Sequence, residues 1–132
     1  MMTRPVPYTD DHETGPFFAA AREGALALCF CSRCDQVLHL PRAHCRFCGS
    51  WRTDWREVSG RGSVYSWTVV ERQLHPAFPV PYTLVLVSVH EYPEVRLLGH
   101  LPGRPALRAG MPMVAIVERV DDTAVLNWAP QE

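Results

Sequence analysis

Four of the five cysteines lie at the spacing of metal ligands. Cys31 and Cys34 form one C-x2-C pair, and Cys45 and Cys48 form a second pair after ten intervening residues. Each pair places two thiolates on one tight turn, and two such turns close a tetrahedron around Zn²⁺. Because four thiolates leave no position open for water, the spacing predicts a structural zinc site, with disulfides, a redox pair or bound iron as the alternatives.

The residues beside the pairs support this interpretation. Gly49 follows the second pair and Asp35 follows the first, at positions where such turns require a positive φ that glycine and aspartate tolerate. The fifth cysteine, Cys29, is too close to Cys31 to form another pair. We expect it to pack as a small hydrophobic residue, with a reactive thiol as the alternative.

Composition and compartment agree with a metal site. The chain has 132 residues and is 47% hydrophobic, which suits one compact domain or two very small modules. Its first residues lack the apolar stretch of a secretion signal, and no apolar run approaches the roughly 20 residues that span a bilayer. The chain is therefore predicted to be cytoplasmic, where thiols stay reduced.

Catalytic motifs are missing from the sequence. It contains no H-E-x-x-H, G-x-S-x-G, P-loop or G-x-G-x-x-G pattern, and its six histidines are scattered. His75, in a proline-rich loop, is the best single candidate for a site residue. We therefore predict that this chain alone holds no active site.

The elements that must position the cysteines are mainly β. A short helix is predicted after an arm of residues 1–13, with Thr14 or Gly15 as its cap, Pro16 in its first turn and Gly24 at its end. After the cysteine segment, β-branched and aromatic runs predict five strands: Ser63–Glu71, Tyr82–His90, Val95–Leu101, Val114–Val120 and Ala124–Trp128.

Five short strands with one long connection suit a small Greek-key barrel. The predicted fold is mainly β, with an N-terminal helix, a rubredoxin-like zinc ribbon and a five-stranded OB-fold barrel; strand propensity alone leaves an SH3-like barrel open. The predicted divisions are an arm and helix at 1–28, the ribbon at 29–55 and the barrel at 56–132.

The second predicted strand is apolar on both faces. Val85, Val87 and Val89 alternate with Leu84 and Leu86. An exposed antiparallel strand normally has one polar face. We expect the outer face to be covered by the ribbon and helix or by another subunit.

Charge is uneven along the chain, although the net charge is only −1. Residues 29–62 have six arginines and three acidic residues, whereas residues 1–28 and 63–132 each carry a net charge of −2. An acidic barrel is unsuited to a long phosphate backbone, which needs many cationic contacts. We therefore keep a single-stranded nucleic-acid-binding module only as the alternative function. The ribbon arginines suit a ligand that has only a few phosphates.

The chain resembles the zinc-ribbon/OB-fold proteins associated with acyl-CoA enzymes, formerly a domain of unknown function. The resemblance extends over residues 14–130 and rests on these motifs: Phe17-Phe18, Gly24-Ala25-Leu26, the two cysteine pairs, Pro41, Gly49-Ser50, Trp55, Ser59–Ser66 (SGRGSVYS), His75–Phe78 (HPAF), Pro81-Tyr82 and Gly110–Val114 (GMPMV). Asp35 replaces the glycine usual in the family after the first pair, and Cys29 is an addition.

This resemblance implies a non-catalytic accessory subunit. Its partner would be a thiolase-superfamily enzyme, such as an aldolase or acyltransferase acting on acyl-CoA, with steroid side-chain degradation one such setting. The subunit would help to form a site for CoA or acyl-CoA shared with the partner. The four cysteines match the family's zinc ligands, and no catalytic residue carries over.

Seven residues are predicted to contact the partner or CoA. The aromatic residues and the histidine are assigned to the partner surface, and the two arginines to the CoA phosphates: Phe17, Phe18, His75, Phe78 and Tyr82, then Arg61 and Arg72. A neighbouring ribbon arginine is the alternative phosphate contact.

Overall fold

A computed structural model describes residues 4–131 and contains one helix and seven strands in that range. The elements are α1 (Gly15–Arg22), β1 (Leu26–Cys31), β2 (Thr53–Val58), β3 (Arg61–Val70), β4 (Tyr82–Val89), β5 (Arg96–Pro102), β6 (Pro112–Val120) and β7 (Thr123–Pro130). Within those residues, no helix is long and apolar enough to cross a membrane.

The helix begins and ends where its local signals place it. Pro16 lies in the first turn, and Gly24, with φ of 81°, lies just beyond the last. Thr14 precedes the helix but makes no side-chain cap. Its hydroxyl instead donates to the Asp11 carboxylate, which also accepts the Thr14 backbone N–H at 2.9 Å.

Strand β1 lies between two cores. It pairs with β2 along its whole length, and all six of its residues are buried. Leu26, Leu28 and Phe30 belong to the core of the barrel, while Cys29 and Cys31 belong to the core of the ribbon. The boundaries at 28/29 and 55/56 fall inside these paired strands, and the three-part division stays a prediction.

The other five strands form the predicted OB-fold barrel. Their order is β5-β4-β3-β6-β7, so that the fourth strand lies beside the first in Greek-key fashion. Strand β3 pairs with β4 over most of its length but with β6 only through Arg61–Ser63. The mainly β fold class is confirmed, and the predicted strand ends differ from the observed ones by no more than two residues.

The second barrel strand has the two faces that its sequence indicates. Val85, Val87 and Val89 are fully buried in the barrel core, whereas Leu84 and Leu86 are half-buried on the other face. Leu86 lies opposite Leu98, which is 62% exposed. The outer face is therefore only partly covered by this chain.

A buried asparagine joins the two edge strands of the barrel. The Asn127 side chain on β7 accepts the backbone N–H of His100 at 2.8 Å and donates to the backbone carbonyl of the same residue at 2.8 Å. The amide group thus makes the pair of hydrogen bonds that backbone groups make between neighbouring strands elsewhere in the sheet. Gly99 makes room for it, since a Cβ there would lie 2.7 Å from Asn127 Oδ1 and 3.0 Å from Trp128 Cδ1.

We expect Asn127→Leu to lower the free energy of unfolding by about 2 kcal/mol, because both backbone groups of His100 lose their partner in a partly buried seam. Gly99→Ala should also destabilise the barrel by displacing the Asn127 amide. Urea denaturation measures both effects. Gly15→Ala is the matched control, since its Cβ would meet no atom closer than 3.6 Å. Equal stability of the Gly99→Ala and Gly15→Ala proteins would contradict this view of the seam.

Candidate metal centre and binding surfaces

The four cysteines of the ribbon converge on one point. Their sulfur atoms all lie within 4.8 Å of one another. Cys31 Sγ is 3.5 Å from Cys48 Sγ, and Cys34 Sγ is 3.7 Å from Cys45 Sγ. Sulfurs about 2.3 Å from a shared tetrahedral ion would lie about 3.8 Å apart. The four cysteines are therefore positioned to hold one metal ion.

The two turns that carry the sulfurs have the backbone conformation that the sequence indicates. Asp35 has φ of 64° and Gly49 has φ of 81°. Their N–H groups donate to the carbonyls of Cys31 and Cys45 at 2.9 and 3.0 Å. Each residue thus closes the tight turn that places two sulfurs on one side.

Backbone N–H groups in these turns also point at sulfur. Cys34 N lies 3.5 Å from Cys31 Sγ, and Cys48 N lies 3.4 Å from Cys45 Sγ. The Cys34 N–H lowers the pKa of Cys31 to about 6, because a hydrogen-bond donor stabilises the thiolate. Since the thiolate is the form that ligates metal, these N–H groups favour ligation by Cys31 and Cys45, whose pKa values are lowered, whereas those of Cys34 and Cys48 are raised.

Strands β1 and β2 bring the two turns together. Cys31 ends β1, and β2 begins at Thr53, shortly after the second pair. Arg56 on β2 donates to Asp54 and to Asp35, both at 2.8 Å, and its guanidinium lies 4.6 Å from the centre of the Phe30 ring. This side chain ties the first turn to the sheet.

Cys29 is a buried strand residue, as predicted. Its thiol faces the ribbon core, and burial raises its pKa, so the sulfur is held in its protonated form. It also lines an apolar cavity of about 200 Å³ between α1, β1 and the ribbon.

The predicted contact residues Phe17 and Phe18 lie between two apolar cavities. Their rings meet edge to face with centres 5.2 Å apart. Both residues line the cavity beside Cys29 and a second one, of about 230 Å³, against the barrel. Both are half-buried against the chain itself.

The predicted residues His75, Phe78 and Tyr82 do come together, around a histidine that the sequence analysis did not single out. The His100 ring lies 5.4 Å from that of Phe78 and 4.8 Å from that of Tyr82, and His75 lies 6.0 Å from Phe78. Arg4 covers Phe78 at 5.2 Å. No local pattern marks His100, since only strand pairing brings it beneath the proline-rich loop.

The two predicted arginines lie apart from these groups and from each other. Arg61 lines an open depression of about 590 Å³ with Ser59, Ser63 and His90, whereas Arg72 is exposed in the β3–β4 connection. The seven predicted contacts therefore lie in separate places, and their contact with a partner or CoA stays a prediction.

A run of exposed apolar side chains on β3 was not predicted from the sequence. On β3, Tyr65, Trp67 and Val69 are 52%, 41% and 37% exposed. Within residues 4–131, no strand pairs with the second edge of β3 beyond Ser63, although the backbone of Val64 is hydrogen-bonded to Met111 and Gly110 in the β5–β6 connection. The stretch from Ser63 to Val70 contains no charge and no proline, the usual devices that protect an edge strand. Strand propensity is visible in a sequence, but the position of a strand at an edge is not.

We expect Cys31→Ser to lose the bound metal and to unfold the ribbon, because the ion supplies much of the folding energy of so small a core. Cys29→Ser is the matched control and should retain one ion per chain. Metal analysis and an amide NMR spectrum of residues 31–50 measure the two outcomes. An unchanged spectrum after chelation would contradict a folding role for the metal.

The His100 group predicts a pH dependence of stability. Burial, followed by the nearby Arg4 charge, lowers the pKa of His100, so the unfolded chain takes up a proton more readily than the folded chain. Its contribution to stability is therefore present above the ordinary histidine pKa of about 6.5 and is lost as pH falls below it. His100→Phe should flatten the stability curve between pH 7 and 5. A curve that keeps the wild-type slope would contradict this assignment.

Comparison with known proteins identifies related subunits. The family described as "ChsH2, C-terminal OB-fold domain" matches residues 55–118. A "Probable enoyl-CoA hydratase alpha subunit" of Thermomonospora curvata is 36% identical over 100 residues, covering 74% of this chain and 31% of the relative. The "3-oxo-4,17-pregnadiene-20-carboxyl-CoA hydratase alpha subunit" of Mycobacterium tuberculosis is 37% identical over 76 residues, covering 56% and 24%. The chain thus spans less than a third of the length of either curated relative.

Two solved structures share the fold. A chain of the "Ltp2-ChsH2(DUF35) aldolase" matches with a TM-score of 0.83 and 32% identity, covering 96% of this chain and 98% of the other. A DUF35-family protein of unknown function from Sulfolobus solfataricus matches with a TM-score of 0.60 and 16% identity, covering 89% and 84%. The order of elements and the four-cysteine ribbon both agree with the resemblance seen in the sequence. The chain therefore belongs to the ChsH2-type DUF35 family.

Proposed function

We propose that this chain is a non-catalytic accessory subunit that binds a thiolase-superfamily enzyme and helps to form its site for CoA or acyl-CoA. The observation that carries the proposal is the unprotected edge of β3, with Tyr65, Trp67 and Val69 exposed along it. A soluble chain normally protects such an edge, so a second protein is its natural cover.

The chemistry of the edge indicates how the partner would bind. Exposed backbone N–H and C=O groups can accept an added strand, and the exposed side chains select apolar residues at alternate positions of that strand. We therefore assign this edge to an extended segment of the enzyme subunit. The similar solved chain belongs to an "Ltp2-ChsH2(DUF35) aldolase", a name that pairs two different proteins. This name supports a partner that is a different protein from this chain.

The names of the relatives support the substrate class. Both curated relatives are named as hydratase alpha subunits acting on CoA thioesters, and one of those thioesters carries a steroid-derived acyl group. We extend this to an aldolase or acyltransferase partner acting on acyl-CoA in lipid or steroid metabolism. Arg61 and Arg72 remain the predicted phosphate contacts, and Phe17, Phe18, His75, Phe78 and Tyr82 remain a second predicted contact surface.

A structural role for the metal follows from its ligands. Four cysteine sulfurs fill a tetrahedron, and Zn²⁺ is the ion that such closed sites commonly hold. The ion would join the two turns below β1 and leave no coordination position for a substrate. We therefore propose structural Zn²⁺.

The environment of the nucleophilic and basic groups supports a non-catalytic chain. The Cys29 thiol has a raised pKa and lies in a hydrophobic core. His75 Nδ1 accepts the backbone N–H of Ala77 at 3.0 Å, and the His100 ring packs against Phe78 and Tyr82. These groups serve packing or turn formation, so the chemistry falls to the partner.

Co-purification with a co-expressed thiolase-superfamily enzyme from the same organism tests the proposal. Wild-type chain should form a stable complex, and Val69→Arg should abolish it by placing a charge on the β3 edge. Ile116→Arg is the matched control, because Ile116 is also a β-branched strand residue that is 37% exposed. Turnover of acyl-CoA should require the complex.

Other variants separate the two predicted surfaces. Phe18→Ala and Phe78→Ala should leave the complex intact if β3 is the main contact. The proposal would be refuted if the Val69→Arg chain formed the complex as well as the wild type does. Turnover of acyl-CoA by the purified chain alone would also refute it.

A further inference from the structure

The ribbon carries a depression that the contacts predicted from the sequence do not use. It has a volume of about 430 Å³ and is lined by Glu13, Arg42, Ala43, His44, Arg46 and Trp51. The depression adjoins the four-cysteine cluster in sequence, since Cys45 separates His44 from Arg46.

Two of the lining residues are arginines that form no ion pair among the residues that the structure describes. Within residues 4–131, neither Arg42 nor Arg46 forms an ion pair, whereas Arg56 of the same segment is paired with both Asp54 and Asp35. Two guanidinium groups on one depression attract a ligand that carries several negative charges. Guanidinium groups are particularly suited to phosphate, because they donate paired hydrogen bonds.

An exposed aromatic ring lies beside these cations. Trp51 is 75% exposed, and its indole lies 4.7 Å from the His44 ring at an angle of 51°. Exposed indole rings of this kind are platforms on which a nucleobase stacks. Glu13 brings one negative charge to the rim, which would repel phosphate but would accept a hydrogen bond from an exocyclic amine such as that of adenine.

Size and charge favour one nucleotide over a nucleic acid. The volume is within the range of small-ligand sites, roughly 300–1,000 Å³. The flanking segments 1–28 and 63–132 each carry a net charge of −2, so a strand extending beyond the ribbon would meet repulsion. The depression around Arg61 has one arginine and is lined mainly by serine, glycine and proline with His90, which offers no comparable stacking ring.

We propose that Arg42, Arg46 and Trp51 form a binding site for an adenine nucleotide with two or more phosphate groups. This inference rests on the proposed function, in which the ligand is the nucleotide end of a CoA thioester. The arginines hold the phosphates, and Trp51 stacks with the base. The predicted contacts Arg61 and Arg72 are not needed for this binding.

Calorimetric titration of the full chain with adenosine 3′,5′-bisphosphate and with CoA tests the site. Both probes should bind the wild-type chain, and inorganic pyrophosphate should bind at least tenfold more weakly because it lacks the base. Arg42→Ala and Trp51→Ala should each weaken the bisphosphate by about tenfold, as expected for loss of a charge-assisted contact or a stacked base. Arg108→Ala removes the same charge from an exposed position on the β5–β6 connection and should bind like the wild type.

Metal content and the amide spectrum show that each variant is folded, and Arg42→Ala is the safer test because it lies outside both cysteine pairs. Equal affinity of the Arg42→Ala and wild-type chains would overturn the site. So would loss of binding in Arg61→Ala or Arg72→Ala alone, or preferential binding of an oligonucleotide.

If the partner complex forms but the bisphosphate binds neither the free chain nor the complex, this inference fails while the accessory function stands. If the bisphosphate binds as expected but no complex forms, the accessory function fails and the nucleotide site stands.

Discussion

The burial of β1 on both faces is the constraint on which the rest of the structure depends. A strand of six residues cannot satisfy two cores unless its side chains alternate between them, and those of β1 do. One face completes the barrel with leucine and phenylalanine. The other carries Cys31, the first of the four converging cysteines. The four-cysteine cluster and the barrel therefore share one strand.

Barrel closure and surface exposure follow from the unequal use of β3. This strand is ten residues long, but β6 pairs only with its first three. The short pairing lets β6 and β7 turn back toward β5, where Asn127 joins the edges with a side-chain amide. The same geometry leaves the far part of β3 with an open edge. Closure of the barrel and exposure of the proposed partner surface thus have a common cause.

Much of the fold could be predicted because its signals are local. The turns at Asp35 and Gly49 follow from residues that tolerate positive φ, and the barrel strands follow from alternating β-branched residues. Thr14 shows the limit, since its hydroxyl pairs with Asp11 instead of capping the helix. The predicted domain boundaries show a second limit of sequence-based prediction, because a change in composition along the chain cannot reveal that β1 contributes to two cores.

The sequence by itself determined the four cysteines at the spacing of metal ligands, the mainly β fold and the excess of positive charge on the ribbon. These properties depend on residue type and on spacing within one short segment. Only the tertiary structure decided which residues meet: His100 joins Phe78 and Tyr82, and Arg42 and Trp51 line one depression. Only the tertiary structure, too, decided that β3 is an open edge. The physical reason is that edges, seams and shared depressions are made by contacts between distant segments, and each such contact requires a chain closure that no local pattern encodes.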